Sequence, residues 1–373
     1  MRKQTLNVKL YERDYTTLIE DITQRIGGRF LFSTQLNGGF GQFRFDLTMP
    51  LEEAWEWYHH RLNYHVVIRE GPDKVIWEGR TEDVDLVGQG IEVTCLGYWA
   101  NCFDQCSDAP SYGVGATAWD VADALLTAKC SQISAVRTYM TDPGFALGGL
   151  GFEDEYTGDI ITQVLGYSDV ALNKWYFAIW EDRLPYMFPR PTTTVVDWQV
   201  WRRNLEPGSA RLRRSLSRLW NRTYGVYTQG AGGRTIDYDD TDSQAEYGLT
   251  RTRAVFCRDV LVAIADNAAQ AALQEGKRLQ QASPFVITDK VYDAHNQAWP
   301  LWRVRAGDTI RIADLVPVSG SLAAPELDQL RTFYIVETSY DAQSGRLTIT
   351  PDRPGSDLAS ILARAGIGVM VTA

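Results

Sequence analysis

The chain has 373 residues, enough for two or three domains, and its 45% hydrophobic and 23% charged residues exclude a disordered or fibrous protein. A net charge of −10 argues against tight binding to the phosphate backbone of nucleic acid. The same charge fits two situations equally, an acidic wall past which DNA slides and the ordinary solubility of an acidic protein. No window approaches the roughly 20 apolar residues of a membrane-spanning helix, and the first residues lack the apolar run of a secretory signal.

Residues 40–98 are predicted to form a compact β-rich unit with one helix. Phe43, Phe45 and Leu47 alternate with polar residues, which is typical of a half-buried strand. Pro50 then opens a helix whose apolar residues recur at helical spacing, so one face is expected to pack on a sheet. The apolar residues of this helix are Leu51, Ala54, Trp55 and Tyr58.

Two β-hairpins are predicted after this helix. The first joins strands at 64–68 and 75–77, and the second joins strands at 84–87 and 91–95. Glycine-containing turns separate the strands of each pair, and glycine is the residue that such turns favour.

Residues 106–200 change character and are predicted to form a smaller α+β domain. Helical spacing covers 116–128 and 158–167, and two aromatic strands follow at 175–180 and 184–188.

An arginine-rich segment comes next. Its members are Arg202, Arg203, Arg211, Arg213, Arg214, Arg218 and Arg222. It is either a solvated linker face or a charged contact with an acidic neighbouring subunit.

Residues 221–351 are predicted to resemble the first unit. The expected elements are a strand at 223–227, a helix from 259 to 281, strands at 284–287 and 309–312, and a closing hairpin of 333–337 with 347–350. Both units would place a helix between strands and end in a similar hairpin, which indicates an internal duplication. Three copies of a duplicated chain would present six similar modules around an axis and could dock onto a sixfold tube.

The chain resembles the tail hub or tail-tip proteins of tailed bacteriophages, which are related to the baseplate hub of contractile tails. The resemblance covers most of the chain in element order. It rests on the segments 38–45, 75–80, 91–97, 160–165, 174–177, 242–248 and 305–310. It implies a predominantly β, α+β fold with two tail-tube-like β-barrel or sandwich domains, each with a packed helix. The expected divisions are 1–105 for the first tube-like domain, 106–215 for the middle domain with the arginine-rich linker, 216–352 for the second tube-like domain and 353–373 for a C-terminal extension.

The resemblance also implies a structural, non-enzymatic role at the tail tip or baseplate of a virion, after synthesis in the host cytoplasm. The expected partners are two further copies of the chain, a tail tube or distal tail protein, and a tip, spike or fibre protein. A tape-measure protein and DNA without sequence-specific binding would pass through the lumen. Relatives with a catalytic domain carry it as an addition, and we expect none here.

No catalytic, cofactor-binding or metal-binding residues are predicted. The sequence has neither a Gly-x-Ser-x-Gly elbow nor a Walker phosphate loop. Three groups of residues are candidates for a metal or catalytic site. They are the histidines His59, His60 and His65, the thiols Cys95, Cys102, Cys106, Cys130 and Cys257, and the acidic run Glu153, Asp154, Glu155 and Asp159. Adjacent histidines on a helix point about 100° apart, and the cysteines lack a second metal-binding knuckle. We therefore expect a rim or interface role for the histidines, buried thiols, and a solvated acidic turn.

A rival hypothesis comes from the tryptophans, which could line a sugar-binding groove of a receptor-binding or glycan-degrading tail protein. Six of the twelve tryptophans support this hypothesis, and they are Trp55, Trp57, Trp175, Trp180, Trp198 and Trp201. Against this hypothesis, Trp55 and Trp175 are predicted to face the core.

A third possibility concerns the apolar stretch at 367–371, which could add a strand to a partner's sheet.

Overall fold

The computed structural model describes residues 6–88, 90–108, 110–191, 195–214, 216, 219–257, 260–276, 280–315 and 331–352, with backbone alone at 212–214 and 280–282. Strands hold 39% of the residues and helices 24%, which confirms the predominantly β class. In these ranges, no helix has the length and apolarity needed to cross a membrane. The C-terminal extension at 353–373, with its predicted strand-pairing segment, lies outside the described residues.

The described residues of the first part form seven strands and one α-helix. They are β1 (Leu6–Tyr11), β2 (Leu18–Asp21), β3 (Ile26–Gln35), β4 (Gly38–Thr48), α1 (Leu51–His60), β5 (His65–Glu70), β6 (Lys74–Val87) and β7 (Gly90–Leu96). The predicted alternation is confirmed, because Phe43, Phe45 and Leu47 are buried on β4. Both predicted hairpins are also confirmed, and they share the single long strand β6.

Strands β1 to β3 are absent from the sequence-based prediction. Strand β3 shifts its register against β4 twice, between Ile26 and Phe30 and between Phe32 and Thr34. Such bulges break the alternation of apolar and polar residues by which a strand is recognised.

The middle part contains α2 (Ala118–Lys129), α3 (Thr157–Gly166), β8 (Trp175–Trp180) and β9 (Leu184–Pro189), as predicted. Helix α2 begins with a capping box, in which Thr117 and Asp120 exchange side-chain and backbone hydrogen bonds. Strand β8 is buried along its whole length. It pairs with β9 and also, in parallel, with the start of β4.

The last part consists of many short elements. They are β10 (Trp198–Val200), β11 (Leu212–Arg214), β12 (Arg222–Tyr227), β13 (Gly233–Arg234), β14 (Tyr238–Asp239), α4 (Thr241–Tyr247), β15 (Thr252–Phe256), α5 (Val262–Gly276), β16 (Gln280–Ala282), β17 (Phe285–Ile287), β18 (Val291–Tyr292), β19 (Ala298–Trp299), β20 (Thr309–Ile312), β21 (Thr332–Asp341) and β22 (Arg346–Pro351). The helix predicted for 259–281 is too long. Gln280 and Gln281 instead pair with β11 as part of β16, so strand pairing overrides their helix propensity.

One large sheet contains strands from the first, middle and last parts of the chain. Its strand order is β19-β18-β10-β20-β21-β3-β4-β7-β6-β5-β1-β2, with β22 and β17 attached beside β21 and β8 and β9 attached beside β4. A small sheet contains β12 to β15, and β11 pairs with β16 alone. The described strands of the large sheet follow an open path and close no barrel, so the expected barrel form is corrected. The link between the halves is the antiparallel pairing of β21 with β3.

The buried hydrophobic residues form two cores. The first core combines residues from 8–95, 176–205 and 285–349, and the second combines residues from 98–187 and 257–268. Helix α1 packs on β6 and β7 of the large sheet, whereas α5 packs on β12 and β15 of the small sheet. The two helices thus pack on different sheets, although each lies between strands in chain order, and the duplication stays a prediction. The matched closing hairpins, β6–β7 and β21–β22, do both lie in the large sheet.

Candidate functional site

The junction between the first and last parts of the chain is a buried polar contact. The hydroxyl oxygens of Thr34 on β3 and Thr338 on β21 lie 2.6 Å apart, and both side chains are buried. Thr34 Oγ1 also accepts a hydrogen bond of 2.8 Å from the backbone N–H of Ala306. Satisfied buried hydrogen bonds favour one register, so this contact fixes how β21 docks on β3.

An ion pair lies at the same junction. Arg303 Nε donates to Glu70 Oε2 at 2.6 Å, and Trp302 Nε1 donates to Glu70 Oε1 at 3.3 Å. The two charged side chains are 17% and 5% exposed, and the Arg303 guanidinium lies 3.9 Å from the ring centroid of Trp299. Strand β5 is thereby attached to the 3-10 turn Leu301–Arg303.

A cleft of about 350 Å³ opens beside this ion pair. Arg305 on its wall pairs with Glu181 at 2.6 Å. Asp308 accepts hydrogen bonds from Trp198 Nε1 and from the backbone N–H of Arg305, and burial raises the pKa of Asp308 to about 6. These charged groups are thus held in place by ion pairs and hydrogen bonds to one another and to the backbone.

A buried carboxyl group joins the first part to the middle part. Glu78 on β6 is 3% exposed, and its Oε1 accepts a 2.6 Å hydrogen bond from the backbone N–H of Arg183. Arg183 and Asp182 both have left-handed φ angles in the turn between β8 and β9, and the Arg183 guanidinium lies 3.6 Å from the ring centroid of Tyr15. Burial raises the pKa of Glu78 to about 8, so this carboxyl is mostly protonated at neutral pH.

The raised pKa of Glu78 predicts a pH-dependent stability. Native Glu78 keeps its proton up to about pH 8, whereas the unfolded chain loses it near 4.5, so stability is lost as pH rises between these values. We expect the free energy of unfolding of the wild type, relative to Glu78→Gln, to fall by about 2 kcal/mol between pH 6 and pH 8. Urea unfolding of both proteins at both pH values measures this, and parallel pH profiles would contradict it.

Helix α1 presents an aromatic surface to solvent, which we define as Leu51, Trp55 and Tyr58. Their exposed fractions are 72%, 52% and 44%, and the rings of Trp55 and Tyr58 stack with centroids 5.8 Å apart. The prediction that one face of α1 packs on a sheet is confirmed for Ala54 and wrong for these three side chains, because Trp57 completes the buried face. Exposed aromatic residues that adjoin one another are typical of protein–protein contacts.

The arginine-rich segment, residues 202–222, lies at the start of the last part of the chain. Arg202 and Arg203 are exposed in a 3-10 turn, Arg211 is exposed before β11, and Arg222 pairs with Asp239 at 2.7 Å. Arg213 and Arg214 belong to β11, and Arg218 lies outside the described residues. Its predicted contact with an acidic subunit stays a prediction.

The six tryptophans lie in several separate places. Trp57 and Trp180 are buried, and Trp175 donates its indole N–H to Asp169 at 2.8 Å. The predicted core position of Trp175 is therefore confirmed and that of Trp55 is wrong. Trp198 donates to Asp308, and Trp201 packs edge-on against Tyr292 with centroids 5.0 Å apart. This dispersal weakens the argument for one sugar-binding groove.

The structure separates the histidines. His59 and His60 are exposed at the end of α1, whereas His65 Nδ1 lies 2.6 Å from the Tyr98 hydroxyl oxygen in the interior. Burial and the nearby Arg183 lower the pKa of His65 to about 3, so it is neutral. Among the described residues, no group of three or more His, Cys, Asp or Glu side chains converges as a metal site would require.

The thiols and the acidic run are placed largely as expected. Four thiols are buried, and Sγ of Cys102 lies 3.7 Å from Sγ of Cys130, but Cys106 is exposed and the prediction is wrong for it. In the acidic run, Glu153, Asp154 and Asp159 are exposed. This agrees with a solvated turn.

Comparison with known proteins gives structural relatives only. No family model matches the chain, and no curated protein matches it by sequence. The 43 kDa tail protein of prophage MuSo2 from Shewanella oneidensis is 13% identical, with 94% of this chain and 99% of that chain covered and a TM-score of 0.60.

Two further tail proteins are similar to the same extent. Prophage tail protein gp18 from Listeria monocytogenes EGD-e is 13% identical, with 96% and 98% of the two chains covered and a TM-score of 0.60. The tail protein from Neisseria meningitidis MC58 is 13% identical, with 93% and 97% covered and a TM-score of 0.59. At this identity the likeness concerns the fold, and the resemblance expected from the sequence is confirmed at that level.

Proposed function

We propose, on the premise that this chain shares the fold of phage tail proteins, that it is a structural, non-catalytic component of a phage-type tail tip or baseplate hub. The observation that carries the proposal is the end-to-end match, because 94% of this chain and 99% of the Shewanella tail protein align. A match of whole chain to whole chain supports a shared role better than a match of one domain, although fold alone does not fix function.

The proposed assembly is a homotrimeric ring with pseudo-sixfold character and a channel for DNA. Its support is the large sheet, in which β21 of the last part pairs with β3 of the first part. Each copy therefore brings two β-rich parts in a fixed relation, and three copies would bring six. The net charge of −10 suits a lumen through which DNA passes without being held.

The proposed partners are a tail tube or distal tail protein on one side and a tip, spike or fibre protein on the other. A tape-measure protein would occupy the channel before DNA. The protein would be made in the host cytoplasm and reside at the tail tip of the virion. The strand-pairing role of residues 367–371 stays a prediction within this scheme.

Mass measurement of the purified full chain tests the ring. We expect a particle of three times the 42.0 kDa chain mass in light scattering and native mass spectrometry, because a ring needs copies in mutual contact. Electron cryo-microscopy of that particle should then show threefold symmetry around a channel. A monomer at all accessible concentrations would contradict the ring, and binding on a glycan array by such a monomer would favour the receptor-binding alternative.

A further inference from the structure

The aromatic surface of α1 is bordered by unneutralised acidic side chains. Glu52 and Glu56 lie one position after Leu51 and Trp55, so they occupy the adjacent stripe of the helix. Within the described ranges no lysine or arginine contacts either carboxylate. The basic side chain near Glu56 is His60, whose Nε2 lies 3.9 Å from Glu56 Oε2. This face therefore combines exposed rings with negative charge.

The arginine surface, defined here as Arg202, Arg203 and Arg211, has the complementary character. All three side chains are exposed, and no ion pair between described residues involves their guanidinium groups. Arg211 Nε donates to the backbone carbonyl oxygen of Gly208 at 3.3 Å, and the Asp314 carboxylate accepts a hydrogen bond from the backbone N–H of Arg202. Arg203 lies 5.4 Å from the ring centroid of Trp201. Residues 198–222 contain seven arginines and a single acidic residue, Glu206.

The two surfaces are attached to different strands of the large sheet. Helix α1 packs on β6 and β7, which lie toward the β2 end of the strand order. The arginine surface begins directly after β10, which lies between β18 and β20 toward the β19 end. Two different, complementary surfaces on one molecule produce head-to-tail contacts, and such contacts form a closed ring when the rotation between successive copies closes.

We propose that the aromatic surface of α1, with Glu52 and Glu56, binds the arginine surface of a second copy of this chain. Guanidinium groups stack on Trp and Tyr rings and form paired hydrogen bonds with carboxylates. Trp, Tyr and Arg are also the residues that contribute most to the binding energy of protein interfaces. This proposal rests on the proposed ring and names the contact that would close it.

Charge reversal on one surface at a time tests the contact. The first variant is Glu52→Arg with Glu56→Arg, and the second is Arg202→Glu with Arg203→Glu. We expect each to raise the concentration needed for half assembly at least tenfold, as measured by native mass spectrometry over a dilution series. The variant that carries all four changes reverses both surfaces, and it should recover most of the assembly because the charges are complementary again.

Matched controls separate this contact from a general effect of charge. Glu153→Arg and Arg253→Glu reverse exposed charges outside both surfaces and should leave assembly unchanged. If the wild type forms a ring while the single-surface variants assemble equally well, or the four-change variant fails to recover, the proposed contact is wrong and the ring stands. If the wild type is a monomer throughout, both proposals are wrong.

Discussion

Replacing Gly39 by alanine is expected to cost at least about 3 kcal/mol of the free energy of unfolding. Gly39 has a φ of +87°, where a side chain is strained, and a Cβ atom there would lie 2.0 Å from the carbonyl oxygen of Ile179. That oxygen belongs to the backbone of β8, which pairs with β4 at this point and cannot move aside without breaking the sheet. Urea unfolding of Gly39→Ala against the wild type measures the loss.

Gly71→Ala is the matched control for this experiment. Gly71 also has a positive φ, of +67°, but no atom lies within 4 Å of where its Cβ would be. Backbone strain alone then acts, and the expected cost is about 1 kcal/mol. Equal losses in the two variants would mean that β8 does not approach β4 as closely as the structure has it.

Replacing Glu70 by alanine is expected to lower the free energy of unfolding by about 3–5 kcal/mol, because the Arg303 guanidinium then stays largely buried without its partner. The same change removes the acceptor of the Trp302 indole N–H. Since this contact attaches β5 to the last part of the chain, we also expect proteolysis within the junction to become faster. Chemical unfolding and limited proteolysis provide the two measurements.

An exposed ion pair supplies the comparison for Glu70. Glu206 lies 3.2 Å from Arg346, but both side chains are at least 36% exposed, so Glu206→Ala should change stability by less than about 1 kcal/mol. Adding Arg303→Met to Glu70→Ala should restore part of the loss, since no buried charge then remains. A small effect of Glu70→Ala by itself would show that the junction does not depend on this pair.

Local sequence patterns were enough to predict the β character, both hairpins of the first part, helices α2 and α3, and strands β8 and β9. These elements follow from local periodicity and turn residues, which act within about ten positions of the chain. The alternation of Phe43, Phe45 and Leu47 is the clearest case, because one buried face of a strand imposes it directly.

The orientation of α1 and the packing of α5 depend on contacts between distant parts of the chain. The α1 sequence offers two apolar stripes, and its neighbours on β6 and β7 cover Ala54 and Trp57, so Trp55 and Tyr58 remain exposed. Helix α5 joins the second core because β12 and β15 form a separate sheet beneath it. Thr34 and Thr338 are some three hundred positions apart, and no local pattern encodes a pairing whose free energy arises only when both strands are already formed.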